Sequence, residues 1–177
     1  MPSLLQLPND VLLIIGEKLE NHGDRWNLIL VSRHFHDLFL SLLYQTARLN
    51  NWRNAYSFLC AITKRPSLAR AARELDFRDW RAKRLAQEDW EMLQRSTIFT
   101  DLVTLPSFSS KETAQWKKDL AKDRGDAWLA LMLPFLSQLR RLHFVYSTPT
   151  SCLKQVMQRA INGQRPFLSQ PALQHLH

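Results

Sequence analysis

Cysteine and glycine are scarce in this chain, acid is in deficit, and no apolar run is long. The 177 residues hold two cysteines, Cys60 and Cys152, too few and too widely separated for a disulfide framework or a Cys-x-x-Cys zinc site. Each falls on an apolar helix face, so both read as buried thiols, and the expected compartment is the reducing cytoplasm or nucleus. The four glycines, at 16, 23, 125 and 163, each stand at a break or a cap and leave no loop able to cradle phosphate. Sixteen Asp and Glu face 24 Lys and Arg, a formal net charge of +8, which raises nucleic acid, an anionic membrane surface or an acidic protein as partners. The longest apolar run, Ala127 to Leu136, is about half the ~20 residues needed to cross a bilayer and contains Pro134. Asn9, Asp10, Glu17 and Lys18 interrupt the N-terminal apolar stretch, which excludes the clean core of a secretory signal. No membrane partner is expected.

What is present is apolar and patterned. A hydrophobic content of 45% excludes general disorder, and the length allows one domain or a small module plus a second. Leu7-Pro8-Asn9-Asp10-Val11-Leu12-Leu13-Ile14-Ile15 starts a helix, with Pro8 in the first turn and Asp10 near the positive end of the helix dipole. The apolar positions Val11, Leu12, Ile14, Ile15 and Leu19 cover more than the roughly 100° stripe of a helix facing one core. One side faces its own domain and the other a partner. Gly16 costs about 1 kcal/mol of helix propensity relative to Ala, so packing must hold this helix. Asn21-His22-Gly23-Asp24 ends it, with Asp24 as the expected N-cap of a second helix through Trp26, Leu28, Ile29, Leu30 and Val31. A third runs through Phe35, Leu38, Phe39, Leu42 and Leu43.

Leu7-Pro8-x-Asp10-Val11-Leu12-x-x-Ile15-x-x-x-Leu19, followed by Leu28-x-Leu30-Val31-Ser32-Arg33-x-Phe35, resembles an F-box over residues 1–44. That family uses the Leu-Pro start, the acidic residue two places on, and a Leu-x-Leu-Val-(Ser or Cys)-(Arg or Lys)-x-(Trp or Phe) segment. Arg25 departs from the pattern, which has an aliphatic residue there, although Trp26 beside it offers apolar surface. The resemblance implies a three-helix module that docks onto a Skp-type adaptor and, through it, onto cullin and RING subunits. The implied docking residues are Leu7, Pro8, Val11, Leu12, Ile15, Leu28, Val31, Ser32 and Phe35, some of which also hold the module together.

Residues 45–177 read as short strands alternating with helices. Thr46-Ala47-Arg48-Leu49 alternates as a half-buried strand, and Asn50-Asn51 ends it. A helix through Trp52, Ala55, Tyr56, Leu59 and Ile62 stops at Lys64-Arg65-Pro66, and Ser67 to Arg70 leads to a second strand at Arg73 to Phe77. Ala47 and Leu49 thus map onto Leu75 and Phe77, and further on Leu142 and Phe144 take the same places. Pro171-Ala172-Leu173-Gln174-His175-Leu176 repeats the first half of the unit. A helix from Ser151 to Ile161 is capped by Gly163. Residues 79–126 read as an elaborated or inserted helical segment, with Leu105 to Ser109 a loop, a Ser109–Glu112 capping box, and Gly125 ending the capped helix.

Each strand–helix unit has one apolar face that it cannot bury alone, and stacking buries it. The units are similar to the irregular leucine-rich repeats that follow the F-box in many large fungal proteins, without the Asn or Cys after the strand. The expected fold is therefore mostly α with short strands: a three-helix F-box followed by an α/β leucine-rich-repeat-like solenoid fragment. Because the chain stops midway through what reads as a strand, a truncated or split member of its family is expected.

Catalytic and metal chemistry is thinly represented. His34 and His36 point to different faces of one helix and make a poor metal pair, and no cofactor is expected. Arg70, Arg73, Arg78, Arg81, Lys83 and Arg84 gather around Trp80, but Glu74, Asp76, Asp79, Glu88 and Asp89 interleave, so solvated helix faces account for them better than a nucleic-acid stripe. The expectation is a non-enzymatic substrate-recognition adaptor of a cullin-RING ubiquitin ligase, its repeats holding a protein substrate. Two other readings compete: a basic nucleic-acid-binding helical protein, and an F-box protein with a structural role outside ubiquitylation.

Overall fold

The computed structural model describes residues 7–19, 21–80, 85–97, 99–100, 109–145 and 151–164. Three helices open the chain: α1 (Asn9–Lys18), α2 (His22–Val31) and α3 (Arg33–Leu43). Pro8 stands at the N-cap of α1, where its missing N–H is no loss, and its carbonyl accepts from Leu12 N at 3.1 Å. Asn21, not Asp24, caps α2. Its side-chain oxygen accepts from Gly23 N at 2.9 Å and its carbonyl from Asp24 N at 3.1 Å, so the helix is already under way when Asp24 is reached. Ser32 alone separates α2 from α3 and caps the latter, accepting from Phe35 N at 3.1 Å.

Gly16 explains itself in the packing. A Cβ on it would lie 2.7 Å from Phe39 Cε1 and 2.9 Å from Leu42 Cδ1, so α1 and α3 approach where only glycine fits. Leu12, Ile29, Phe35, Phe39, Leu42 and Leu43 form the core of this unit, with Phe35 and Phe39 edge to face at 5.3 Å. Arg25 has a structural task. Its guanidinium donates to Leu19 O at 2.8 Å and, more loosely, to Leu42 O and Glu17 O at 3.4 Å, placing positive charge on the open carbonyl end of α1 and tying it to α3.

Three short strands, β1 (Thr46–Arg48), β2 (Glu74–Asp76) and β3 (Arg141–His143), form a parallel sheet in that order. Ala47 pairs with Leu75 and Leu75 with Leu142, the same positions that the sequence spacing aligns. Helix α4 (Trp52–Lys64), capped by Asn51, and α5 (Pro66–Ala71) connect β1 to β2. Pro66 therefore does more than stop α4, because its fixed φ also opens α5, over residues that read as a plain connection. Helices α6 (Gln87–Arg95), α7 (Ser110–Ala121) and α8 (Gly125–Met132) follow, then a 3-10 turn at Leu133–Phe135, β3, and α9 (Ser151–Ile161). The chain is mostly helical around this small sheet.

The capping box at the start of α7 is complete: Ser109 Oγ accepts from Glu112 N at 3.3 Å, and Glu112 Oε2 accepts from Ser109 N at 2.6 Å. Gly125 does not end that helix. Asp123 takes the left-handed turn, with φ of 52°, and Gly125 begins α8, where a Cβ would meet the Trp80 indole at 2.9 Å. Gly163, at φ +58°, does follow α9 as its cap. The second core packs Leu59, Leu75, Phe77, Trp116, Trp128 and Val156, and Leu40 and Tyr44 of the N-terminal unit pack against both cores. Neither cysteine is in a disulfide; Cys60 is half-buried, and buried Cys152 donates to Asp119 Oδ2 at 3.4 Å. No helix among the described residues is long and apolar enough to cross a membrane. The expected strand at Pro171 to Leu176, the loop from Leu105 to Phe108, and Arg81, Lys83 and Arg84 lie outside the described residues.

Candidate docking surface

The nine residues marked by the sequence divide by what they touch. Leu12 and Phe35, each 1% exposed, are core; Leu7 and Leu28 are half-buried against it; Ser32 is the cap of α3. Pro8, Val11, Ile15 and Val31 face solvent. Ile14 and Leu30, which are not among the nine, are exposed as well, as is Trp26, whose apolar surface beside Arg25 is legible in the sequence. Of the nine large hydrophobic side chains exposed among the described residues, six are on α1 and α2: Val11, Ile14, Ile15, Trp26, Leu30 and Val31. Lone exposed apolar residues are ordinary, but this concentration in one small unit is not.

Helix geometry explains the pattern. Val11, Ile14 and Ile15 are related by three and four residues and share one side of α1, while Leu12 and Gly16 turn toward α3. Trp26 and Leu30 likewise stand one turn apart on α2. Phe35, Phe39 and Leu42 of α3 are the wedge that decides which apolar residues of α1 point inward, so the remainder are left facing out.

The sheet offers a different surface. Its face opposite Ala47, Leu75 and Leu142 carries two polar rows, Thr46–Glu74–Arg141 and Arg48–Asp76–His143. Glu74 accepts from Arg141 Nη2 at 2.7 Å and lies 3.0 Å from His143 Nε2. Asp76 is held by Arg78 through contacts of 3.1 and 2.8 Å and by the Arg78 backbone N–H at 3.0 Å. The side-chain bond from Arg78 leads these effects and holds the carboxyl of Asp76 down to about 2.

Trp80, the aromatic at the centre of the basic cluster, is tied down. Its ring stacks on Phe77 at 5.2 Å and its N–H donates to Asp123 O at 2.9 Å. Arg73 bonds to Gln138, and Arg78 to Asp76. His34 is exposed, and His36 Nδ1 lies 3.1 Å from the Asp37 carboxylate. Among the described residues no three His, Cys, Asp or Glu side chains gather as metal ligands do.

No protein-family model matches this chain, and no curated protein or solved structure shows significant similarity to it.

Proposed function

We propose that the chain is an F-box-type adaptor: the N-terminal three-helix unit docks onto a Skp-type protein, and the strand–helix units behind it hold a protein substrate for a cullin-RING ubiquitin ligase. The observation that carries the proposal is the set of exposed apolar side chains on α1 and α2 that stand clear of the clefts beside α4: Val11, Ile14, Ile15 and Val31. Burying a large aliphatic side chain contributes roughly 1.5 to 3 kcal/mol, so a few central residues suffice to dominate an interface. The Leu-Pro and Val-Ser-Arg-x-Phe segments supply both halves of that unit, Pro8 opening α1 and Ser32 joining α2 to α3.

In this reading no residue of the chain performs acid–base chemistry. Rate comes from holding substrate lysines at high effective concentration beside a charged conjugating enzyme. The in-register strands Ala47–Leu75–Leu142 support a leucine-rich-repeat-like platform for the substrate, and the cytoplasm or nucleus is the site of action.

The test is capture of the full chain by a purified Skp-type protein. Wild type is expected to be retained, and Ile15→Asp and Val31→Asp to be lost with helical circular dichroism unchanged, because both side chains face solvent. A wild-type chain that is not retained sinks the proposal.

A further inference from the structure

Two cavities, of ≈400 and ≈420 Å³, meet at the seam between the N-terminal unit and the sheet, with Trp26, Leu43 and Tyr44 common to both. Their outer wall is one stripe of α4. Asn54, Ser57 and Phe58 line the second cavity, and Ala61 and Lys64, continuing at the same helical spacing, line the first. From Asn54 to Lys64 the stripe is about 15 Å long at ~1.5 Å per residue, room for about five residues of extended chain.

The inner wall of the second cavity is the free edge of the sheet. β1 is an outermost strand, and Thr46 to Leu49 line the cavity. Gln45 O accepts from Arg73 N and Glu74 N, and Leu49 N donates to Asp76 O, so the alternation of a strand turns the N–H and C=O of Thr46 and Arg48 away from β2. Outside the sheet these groups take no hydrogen bond among the described residues. An edge with open backbone groups beside an apolar trough is the arrangement that strand addition exploits.

Charge supplies the third constraint. Among the described residues, the charged ones lining the two cavities are Arg48 at one end and Lys64 and Arg65 at the other, where His36 also stands, and no carboxylate lines either one. Arg48, Lys64 and Arg65 make no ion pair among the described residues, whereas both acidic residues of the sheet face, Glu74 and Asp76, are already engaged by arginines.

We infer that this groove binds an extended segment of a partner protein, about five residues long, apolar in the middle and acidic at both ends, added as a strand to the free edge of β1. Thr46 and Arg48 supply the backbone bonds, Trp26, Tyr44 and Phe58 receive the apolar side chains, and Arg48 and the Lys64–Arg65 pair receive the acids. The inference builds on the proposed adaptor role by assigning where and what the chain recognises.

The test is anisotropy titration of the full chain with a fluorescein-labelled peptide, Glu-Leu-Val-Phe-Glu. Saturable binding is expected, weakened at least about tenfold by Lys64→Glu with Arg65→Glu, and equally by N-methylating alternate peptide amides, which removes strand hydrogen bonds and leaves the charges. Ile15→Asp is expected to leave it unchanged. No binding, equal binding of a peptide with Lys in place of its acids, or equal binding of the N-methylated peptide overturns the inference. So does a dimer in sedimentation that Trp26→Ala dissociates, since a second copy then fills the groove. Adaptor capture without peptide binding defeats this inference alone, and peptide binding without adaptor capture defeats only the docking proposal.

Discussion

Gly16 and Phe39 meet edge to backbone: a methyl group on Gly16 would lie 2.7 Å from the Phe39 ring. This contact sets the distance between α1 and α3. On an exposed helix Gly→Ala stabilises by about 1 kcal/mol, whereas overpacking a core costs roughly 1 to 3 kcal/mol. Gly16→Ala is therefore expected to lower stability by about 1 kcal/mol, read as a lower urea midpoint, and Gly16→Val to lower it further. A rise in the midpoint with Ala would show that the helices do not pack this closely.

Asp76 gives the chain an acid-sensitive contact. Its carboxyl is held down to about 2 by Arg78, below the 3.8 it has without such a partner. A carboxylate depressed in the folded state stabilises above its unfolded value, and that stabilisation disappears as pH falls through the folded one. The window is thus about pH 4 down to about 2. Arg78 is itself more than half exposed, so solvent screening reduces the effect to on the order of 1 kcal/mol. Asp76→Asn is expected to lower stability at pH 7 by that order and to flatten the fall between pH 4 and 2. Thermal melts across that range check both.

The start of α7 tests local capping. Ser109→Ala removes the acceptor for Glu112 N and is expected to cost about 1 kcal/mol. Glu112 also bonds to Arg159 of α9 at 3.2 Å, so Glu112→Ala is expected to cost more than Ser109→Ala by loosening the contact between the two helices. Chemical denaturation of the two single variants gives the order directly.

Leu75 occupies the middle strand between Ala47 and Leu142 and is fully buried. Leu75→Ala is expected to cost about 2 to 5 kcal/mol, the range for large-to-small changes in a core. Thr46→Ala, on the opposite and partly exposed face, is expected to change stability by less than about 0.5 kcal/mol. A similar cost at both positions would mean that the two faces are not differently buried.

Much of this architecture is legible in the sequence because it is local or strictly periodic. Strand alternation forces Ala47, Leu75 and Leu142 onto one face, so aligning the units by spacing also aligns the sheet register. The Ser109–Glu112 box and the cap at Gly163 are short-range devices and fall where their residues stand. Tertiary contacts are harder to read. Gly125 looks like a helix stop, but its requirement comes from the Trp80 ring 45 positions upstream, while Asp123 makes the turn. Asn21 and Asp24 are both good caps, and only the bond to Gly23 N decides between them.

The docking surface divides along the same line. An apolar stripe as wide as Val11 to Ile15 does not reveal its inward side until α3 is packed against it, so Leu12 is named with its exposed neighbours and Ile14 is missed. Trp26 stands beside Arg25, whose bonds to the end of α1 use the position where the F-box pattern places an aliphatic residue. Trp26 is left 50% exposed at the seam. Nothing in the spacing of apolar residues announces that seam, because its walls come from α2, α3, β1 and α4 together.

The exposed apolar side chains of α1 and α2 are proposed as the docking surface. Calorimetric titration of the full chain with a purified Skp-type protein is the decisive measurement. Saturable one-to-one binding with a negative heat-capacity change, the mark of apolar burial, is expected, with loss of that binding in Ile14→Asp and Val31→Asp proteins that melt like wild type. Absence of binding by the wild-type chain, or affinity unchanged in both variants, would contradict it.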